Sequence, residues 1–339
     1  MPNSTFRALL VEASEQGQVV AIRDLQDSDL PKGDVTIDIH YSDLNYKDGL
    51  AVTGTAKVLR SLPLVPGIDF AGTVIESQSA EYKPGDNVVL TGWGIGETHW
   101  GGFTQRNRVR AEWLVALPHG MSLRHSMAIG TAGFTAMLCV MALEDAGIRP
   151  SEREVLVTGA AGGVGSIAVA LLAAAGYPVV AATGRSETSD YLRSLGAKRI
   201  IDRNELSSLS RPLEREQWGA AIDTVGGDIL SGVLRSTMYY GAVAACGNAG
   251  GVQFTSSVFP FILRGIHLVG VESVLCPPER RRAAWARLAR DLRPDVLDNL
   301  HDVISLDQVP EYSQRIIAGQ IRGRTVISTY NSAIARNTK

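Results

Sequence analysis

Apolar and polar residues alternate with a period of two along Val35-Thr36-Ile37-Asp38-Ile39-His40-Tyr41, the signature of a strand with one face in a core. Further strand-like runs, such as Asn87 to Thr91, lie between turns at Pro66-Gly67, Pro84-Gly85-Asp86 and Pro118-His119-Gly120. Many short strands joined by glycine and proline turns predict a β-rich, barrel-like domain at the start of the chain. Near Met127 the pattern changes. Val155-Leu156-Val157-Thr158 is a fully apolar strand, and residues 162–176 form a helix of small side chains. Pro178-Val179-Val180-Ala181-Ala182 is strand again, followed by a helix through Tyr191 and Leu195. Arg199-Ile200-Ile201, Ala220-Ala221-Ile222-Asp223 and residues 242–245 and 267–271 continue the series. Apolar strands alternating with helices predict an α/β domain, a parallel sheet covered on both faces. This doubly wound Rossmann architecture binds ligands at the carboxyl ends of its strands.

Length agrees, since 339 residues exceed one comfortable core. Pro277-Pro278 opens a charged helix over 279–292, and Arg324-Thr325-Val326-Ile327-Ser328 is a last strand. The tail is expected to return to the first domain. The expected division is therefore 1–127 with 276–339 for the β-rich domain, and 128–275 for the nucleotide domain inserted in it. A net charge of -2 offers no basic field for nucleic acid. Cys139, Cys246 and Cys276 form no C-x-x-C pair, so neither a disulfide framework nor a thiolate metal site is indicated. The first residues carry no basic segment leading into an apolar one, and no apolar run reaches eighteen residues, with 167–175 the most apolar helix. The expected compartment is the cytoplasm, without membrane attachment.

The stretch that bears chemistry is Thr158-Gly159-Ala160-Ala161-Gly162-Gly163-Val164-Gly165, between an apolar strand and a helix. That context is the one a dinucleotide loop requires. Gly162 lets the backbone approach a pyrophosphate, Gly165 permits close packing of helix on strand, and the helix N-terminus favours anionic phosphates. In the G-x-G-x-x-G pattern the first glycine is replaced by Ala160. The second strand ends on Thr183-Gly184-Arg185-Ser186, where an NAD enzyme places a carboxylate. A guanidinium beside a hydroxyl suits the 2′-phosphate of NADPH. Arg203, after the third strand, is a candidate second cation or a solvated surface arginine.

With these residues in hand, the chain resembles the medium-chain dehydrogenase/reductase superfamily, in its zinc-free quinone-oxidoreductase-like branch. More narrowly, it is similar to the acrylyl-CoA reductase (NADPH) subfamily. The similarity covers nearly the whole chain. It rests on Leu44-Asn45-Tyr46-Lys47-Asp48, Pro66-Gly67-Ile68-Asp69-Phe70-Ala71-Gly72 and Leu90-Thr91-Gly92-Trp93-Gly94. His99-Trp100-Gly101-Gly102, Ile129-Gly130-Thr131-Ala132-Gly133-Phe134-Thr135-Ala136 and Pro277-Pro278-Glu279-Arg280-Arg281 add to it. The resemblance implies that the first domain is GroES-like and catalytic, that the protein is a homodimer, and that Gly247 and Ser273 join the cofactor-binding set. Zinc alcohol dehydrogenases of the superfamily carry a cysteine where this chain has Asn45 and a histidine where it has Ile68. Both replacements remove a metal ligand. His99 is a lone histidine in a segment without cysteine, so no metal is expected.

Without a metal to polarise a carbonyl, hydride addition to a conjugated carbon–carbon double bond is the accessible chemistry, because charge spreads onto an enolate oxygen. By resemblance, Tyr46 faces the cofactor and can donate a hydrogen bond or a proton. Asn45 is the second candidate, to orient the cofactor or a carbonyl. Lys47 and Asp48 suit a structural salt bridge as well as a catalytic role. For CoA phosphates, Arg264 and Arg280-Arg281-Arg282 are available, although the latter also read as the solvated face of a helix whose stripe is Ala283, Trp285, Leu288 and Leu292. The expected activity is NADPH-dependent reduction of a short 2-enoyl-CoA, acryloyl-CoA to propanoyl-CoA. A quinone or enone reductase with the same cofactor, and a non-catalytic NADPH-binding protein, are the alternatives.

Overall fold

The computed structural model describes residues 5–15, 17–208 and 210–330. Two compact units make it up. The first joins the residues up to Thr131 with those from Leu297 onward, and the second is the continuous stretch Ala132–Val296.

In the first unit the alternating run becomes the strand Val35–Asp43. It lies within a seven-stranded sheet ordered His301–Ser305, Arg324–Ser328, Val35–Asp43, Asp69–Ser77, Asn87–Thr91 and Val115–Ala116, with Arg106–Val109 paired to Val35–Asp43 off this path. The period-two pattern does what it predicts: Val35, Ile37 and Ile39 are fully buried, packed with Phe70, Val88 and Leu90. A second apolar cluster gathers Leu9, Val11, Leu44, Val65, Phe103 and Ile327. The last strand, Arg324–Ser328, pairs antiparallel with Val35–Asp43, setting Val326 opposite Asp43. The tail of the chain thus completes the sheet that its first third begins.

The second unit is a six-stranded parallel sheet ordered Ala197–Asp202, Val179–Thr183, Val155–Val157, Trp218–Asp223, Thr237–Ala245 and His267–Gly270. In order of appearance along the chain that is 3-2-1-4-5-6, the doubly wound dinucleotide-binding order. Three of its inner strands, Val155–Val157, Val179–Thr183 and Trp218–Asp223, are buried throughout, which is why they read as continuous apolar runs rather than alternating ones. The topology reverses between the first and fourth strands, so a ligand crevice belongs at Val157 and Asp223.

The units part at Thr131/Ala132 and Val296/Leu297, whereas the sequence pattern places the divisions at 127/128 and 275/276. Side-chain packing accounts for the later second division. In the helix Pro278–Asp291, Trp285 stacks on Phe134 at 6.3 Å, and Arg287 pairs with Glu144. Its buried stripe contains Ala284 rather than Ala283, and includes Arg281. The run at 167–175 falls on the helix Gly163–Ala174, which is more apolar than the longer helix Leu123–Asp145; most of the latter is buried within the protein.

That long helix is broken at Gly130, with φ 50° and ψ -159°, a backbone conformation open essentially to glycine alone. Here space adds to strain, because a Cβ on Gly130 would sit 1.7 Å from Asp43 Oδ2. Gly130→Ala should therefore cost at least about 2 kcal/mol, combining strain of ~1–3 kcal/mol with an overlap nothing can relieve cheaply. Thermal unfolding reads this out. A melting temperature within a degree of wild type would show that the break is not required.

Candidate active site

At the crevice of the second unit, the expected glycine loop is built as a turn, a gap and a helix start. Ala160, standing where a first glycine is usual, is fully buried and donates its N–H to Ala182 O at 3.2 Å. The tight turn falls one residue earlier, at Gly159 with φ 58°. A side chain there would meet Thr224 Oγ1 at 2.3 Å, so the turn requires glycine. Gly162 precedes the helix Gly163–Ala174, and no side chain caps it, so its first-turn N–H groups could hold an anionic group. Val164 lies in that first turn, half-buried, and Gly165 packs on the backbone of Gly159 and Ala160. Behind the loop, Thr158 Oγ1 donates to Asp223 Oδ1 at 2.7 Å and accepts from Thr224 N, tying the first strand to the fourth. Burial raises the Asp223 carboxyl, while Thr158 and the N–H of Gly226 partly offset it.

Two arginines converge where the second strand ends. Thr183 is buried, its Oγ1 accepts from Arg185 N at 3.1 Å, and its carbonyl accepts from Arg203 N at 3.1 Å. The Arg203 side chain lies over Gly184, its Nε 2.6 Å from where a Cβ would be. Arg185 reaches back to the glycine loop, its Nη2 3.2 Å from Ala161 O. Ser186 is exposed beside it. Two cations, an exposed hydroxyl and an open glycine at this strand end fit a dianionic phosphate. Gly247 packs on the backbone of Thr224, which places it at the same end of the sheet. The Ser273 carbonyl accepts from Arg281 Nη2 at 3.0 Å.

The arginines available for CoA phosphates are for the most part employed within the fold. Arg264 is buried and donates to the carbonyls of Arg235, Thr237 and Glu214. Arg281 is buried against the Phe134 ring, and Arg280 pairs with Asp145 at 2.7 Å. Only Arg282 of this group lies on an exposed helix position.

In the first unit, Tyr46 opens the helix Tyr46–Thr53 and is 48% exposed. Asn45, just before it, is buried, and its side chain faces a set of charges that no motif announces. Its Nδ2 donates to Asp43 Oδ1 at 2.6 Å and to Asp69 Oδ2 at 2.9 Å, while its Oδ1 accepts from Arg324 Nη1 at 3.1 Å. Arg324 also donates to Asp43 Oδ2 at 2.6 Å and to Ala128 O at 3.1 Å. Asp69 accepts from the backbone and hydroxyl of Thr131. Lys47 and Asp48 do not pair. Lys47 bonds Glu97 at 2.9 Å, and Asp48 accepts from the N–H groups of Asn45 and Ile68 at 2.9 Å each. His99 bonds the Trp100 carbonyl and stands edge-on to Trp113.

Burial among like charges shifts the titration of Asp43 and Asp48. Asp43 is held well above the usual range, first by burial and then by Asp69, with Arg324 opposing. Burial lifts Asp48 from 3.8 to about 7 against the hydrogen bonds that favour its charged form. The folded protein then holds a proton that the unfolded chain releases near pH 4. Stability from this carboxyl is present below that pH and lost as pH rises through about 7. The melting-temperature advantage of wild type over Asp48→Asn should accordingly shrink between pH 4 and pH 7.5. A difference independent of pH would mean that Asp48 titrates as an ordinary carboxylate.

Known proteins share both units. A model described as the alcohol dehydrogenase GroES-like domain matches residues 31–119, and one described as zinc-binding dehydrogenase matches residues 163–290. The zinc in the second description does not suit the donor set here, since the Asn45 amide is committed to Asp43, Asp69 and Arg324, and Ile68 offers only an alkyl chain. A probable acrylyl-CoA reductase of Escherichia coli K12 is 53% identical over 95% of this chain and 99% of its own. The acrylyl-CoA reductase of Ruegeria pomeroyi is 51% identical over 95% and 98%. The crystal structure of the yhdH oxidoreductase from Salmonella enterica in complex with NADP superposes with a TM-score of 0.94 at 53% identity, covering 96% of this chain and all of that one. With a Rossmann unit inserted in a GroES-like one and this likeness along its length, the chain belongs to the medium-chain dehydrogenase/reductase superfamily, in its acrylyl-CoA reductase group.

Proposed function

We propose that the protein is an NADPH-dependent oxidoreductase that reduces the carbon–carbon double bond of a short 2-enoyl-CoA, acryloyl-CoA to propanoyl-CoA, without zinc. The observation that carries this reading is the likeness, at more than half identity and over nearly the whole chain, to acrylyl-CoA reductases. When bound, NADPH supplies the hydride for the β-carbon. The protein's own residues do the rest. Ala161, Gly162, Gly163, Val164 and Gly165 hold the pyrophosphate, with Gly247 and Ser273 beyond it, and Thr183, Gly184, Arg185, Ser186 and Arg203 hold the 2′-phosphate. Tyr46 donates its phenol to the enolate oxygen or delivers the α-carbon proton.

A cytoplasmic homodimer joined through the second units completes the proposal. Its support is the open edge strand His267–Gly270 and the exposed apolar residues Val258, Ile262, Leu263 and Leu275 nearby in sequence. The partners are the substrate and a second copy of the chain, with no nucleic acid and no membrane.

Loss of absorbance at 340 nm with acryloyl-CoA, free acrylate and a quinone tests the activity. Turnover should be fast with acryloyl-CoA alone and unchanged by a zinc chelator. Turnover of the quinone only would make the protein a quinone reductase, and no turnover of any acceptor would leave a binding protein.

Cofactor choice gives the sharper test. A charge-assisted hydrogen bond is worth about 1.5–3 kcal/mol. Arg185→Ala should therefore lower kcat/KM for NADPH by roughly 10- to 150-fold, at about 1.4 kcal/mol per decade, and barely change it for NADH. Arg203→Ala should show the same asymmetry, only smaller. Equal losses with both cofactors would make Arg185 a support of the fold, and a wild-type preference for NADH would overturn the assignment.

A further inference from the structure

The charges around Asn45, the residue before Tyr46, have no part in the reaction as written. Every polar atom of the Asn45 side chain is fixed inside the first unit. Asp43 takes one Nδ2 hydrogen at 2.6 Å and Arg324 holds Oδ1 at 3.1 Å, while Asp43 and Arg324 also hold each other at 2.6 Å. The three form a closed triangle, buried on all sides. Asp69 takes the second Nδ2 hydrogen, and Asp48 takes the backbone N–H, so Asn45 can neither rotate nor recede. Its dihedrals, φ -104° and ψ 163°, turn the chain out of the strand Val35–Asp43 and into the helix whose first residue is Tyr46.

We infer that Asp43 and Arg324 are positioning residues for the reduction, which clamp Asn45 and through it aim the Tyr46 phenol. The inference rests on the reading that Tyr46 donates to the substrate. Neither residue touches the reacting atoms. Each acts by holding a neighbour of the one that does. Arg324 is suited to this because its planar fork reaches three acceptors at once, Asp43, Asn45 and the Ala128 carbonyl. The site equivalent to a metal dehydrogenase's cysteine thus presents an amide to a guanidinium. Displacing a catalytic group by about 1 Å can cost on the order of 10²-fold in rate, so a slack clamp is legible in turnover before it is legible in binding.

The test is a double-mutant cycle between Asp43→Asn and Tyr46→Phe, read as kcat with acryloyl-CoA and as KM for NADPH. Asp43→Asn keeps the shape but sets a second NH2 group against Arg324 or Asn45. Alone, it should lower kcat by about 10- to 100-fold and move KM for NADPH less than twofold. In the Tyr46→Phe background it should cost less than about threefold, because the group it aims is already gone. Equal losses in both backgrounds, or an unchanged kcat, would overturn the inference while leaving Tyr46 in place. If Tyr46→Phe alone changes kcat less than threefold, the assignment of Tyr46 falls, and the inference with it. Should Asp43→Asn fail to fold, Arg324→Lys enters the same cycle with the same expected outcomes, since it keeps the charge and loses the fork.

Discussion

The first unit is organised around one buried cation. Arg324 is 3% exposed and sits among Asp43, Asn45 and the Ala128 carbonyl, with Asp69 and Asp48 within the same set of hydrogen bonds. Isolated, each of these carboxylates would be costly to bury, and together they would repel. The guanidinium makes the arrangement tolerable, and the backbone N–H groups of Asn45, Ile68 and Thr131 satisfy the oxygens it does not reach. Removing one partner of such a pair typically costs about 3–5 kcal/mol, because the other is left charged and dry. Local features that look unrelated follow from this constraint. The break at Gly130 makes room for Asp43, and the last strand must lie beside Val35–Asp43 to deliver Arg324.

The second unit depends on a different device, backbone rather than charge. Its ligand end is shaped by glycines that let chain approach chain, at Gly159 against Thr224 and at Gly165 against Gly159. Asp223 is the polar fastening there, joining the first and fourth strands through Thr158 at the point where the sheet order reverses. Arg281 performs a comparable task just after the strand His267–Gly270, passing from the Phe134 ring to the carbonyls of Ser273 and Val274. A sequence rich in arginine near residue 280 invites a phosphate, but the structure spends the buried member on packing and carbonyls.

What could be read from the amino-acid order divides along the same line. The inner parallel strands were legible because burial on both faces leaves a plain apolar run, and the strands Asn87–Thr91 and Arg324–Ser328 emerge with the bounds that their pattern implies. The place of Thr183 and Arg185 at the end of the second strand was legible because a strand end has a known distance from the glycine loop. The carboxylate network was not. Asp43 and Arg324 are 281 positions apart, and nothing local marks either as buried. Asn45 was singled out for its residue type, yet its partners became visible only with the fold. The late division at Val296 was hidden for a related reason, since Trp285 and Phe134 meet through packing rather than through any repeated pattern.

The separation of Asp43 from Arg324 also has a consequence for how the chain is made. The ribosome delivers Asp43 first and its counter-ion Arg324 281 positions later, after the whole of Ala132–Val296. At about 5–20 residues per second, the wait is on the order of 15–55 s. During that time the strand Val35–Asp43 lacks both one of its sheet neighbours, Arg324–Ser328, and the cation that makes its end tolerable away from water. The continuous second unit needs nothing from outside its own span to close its six strands. Emergence from the ribosome therefore favours the insert folding before its host, whose sheet gains Arg324–Ser328 only afterwards.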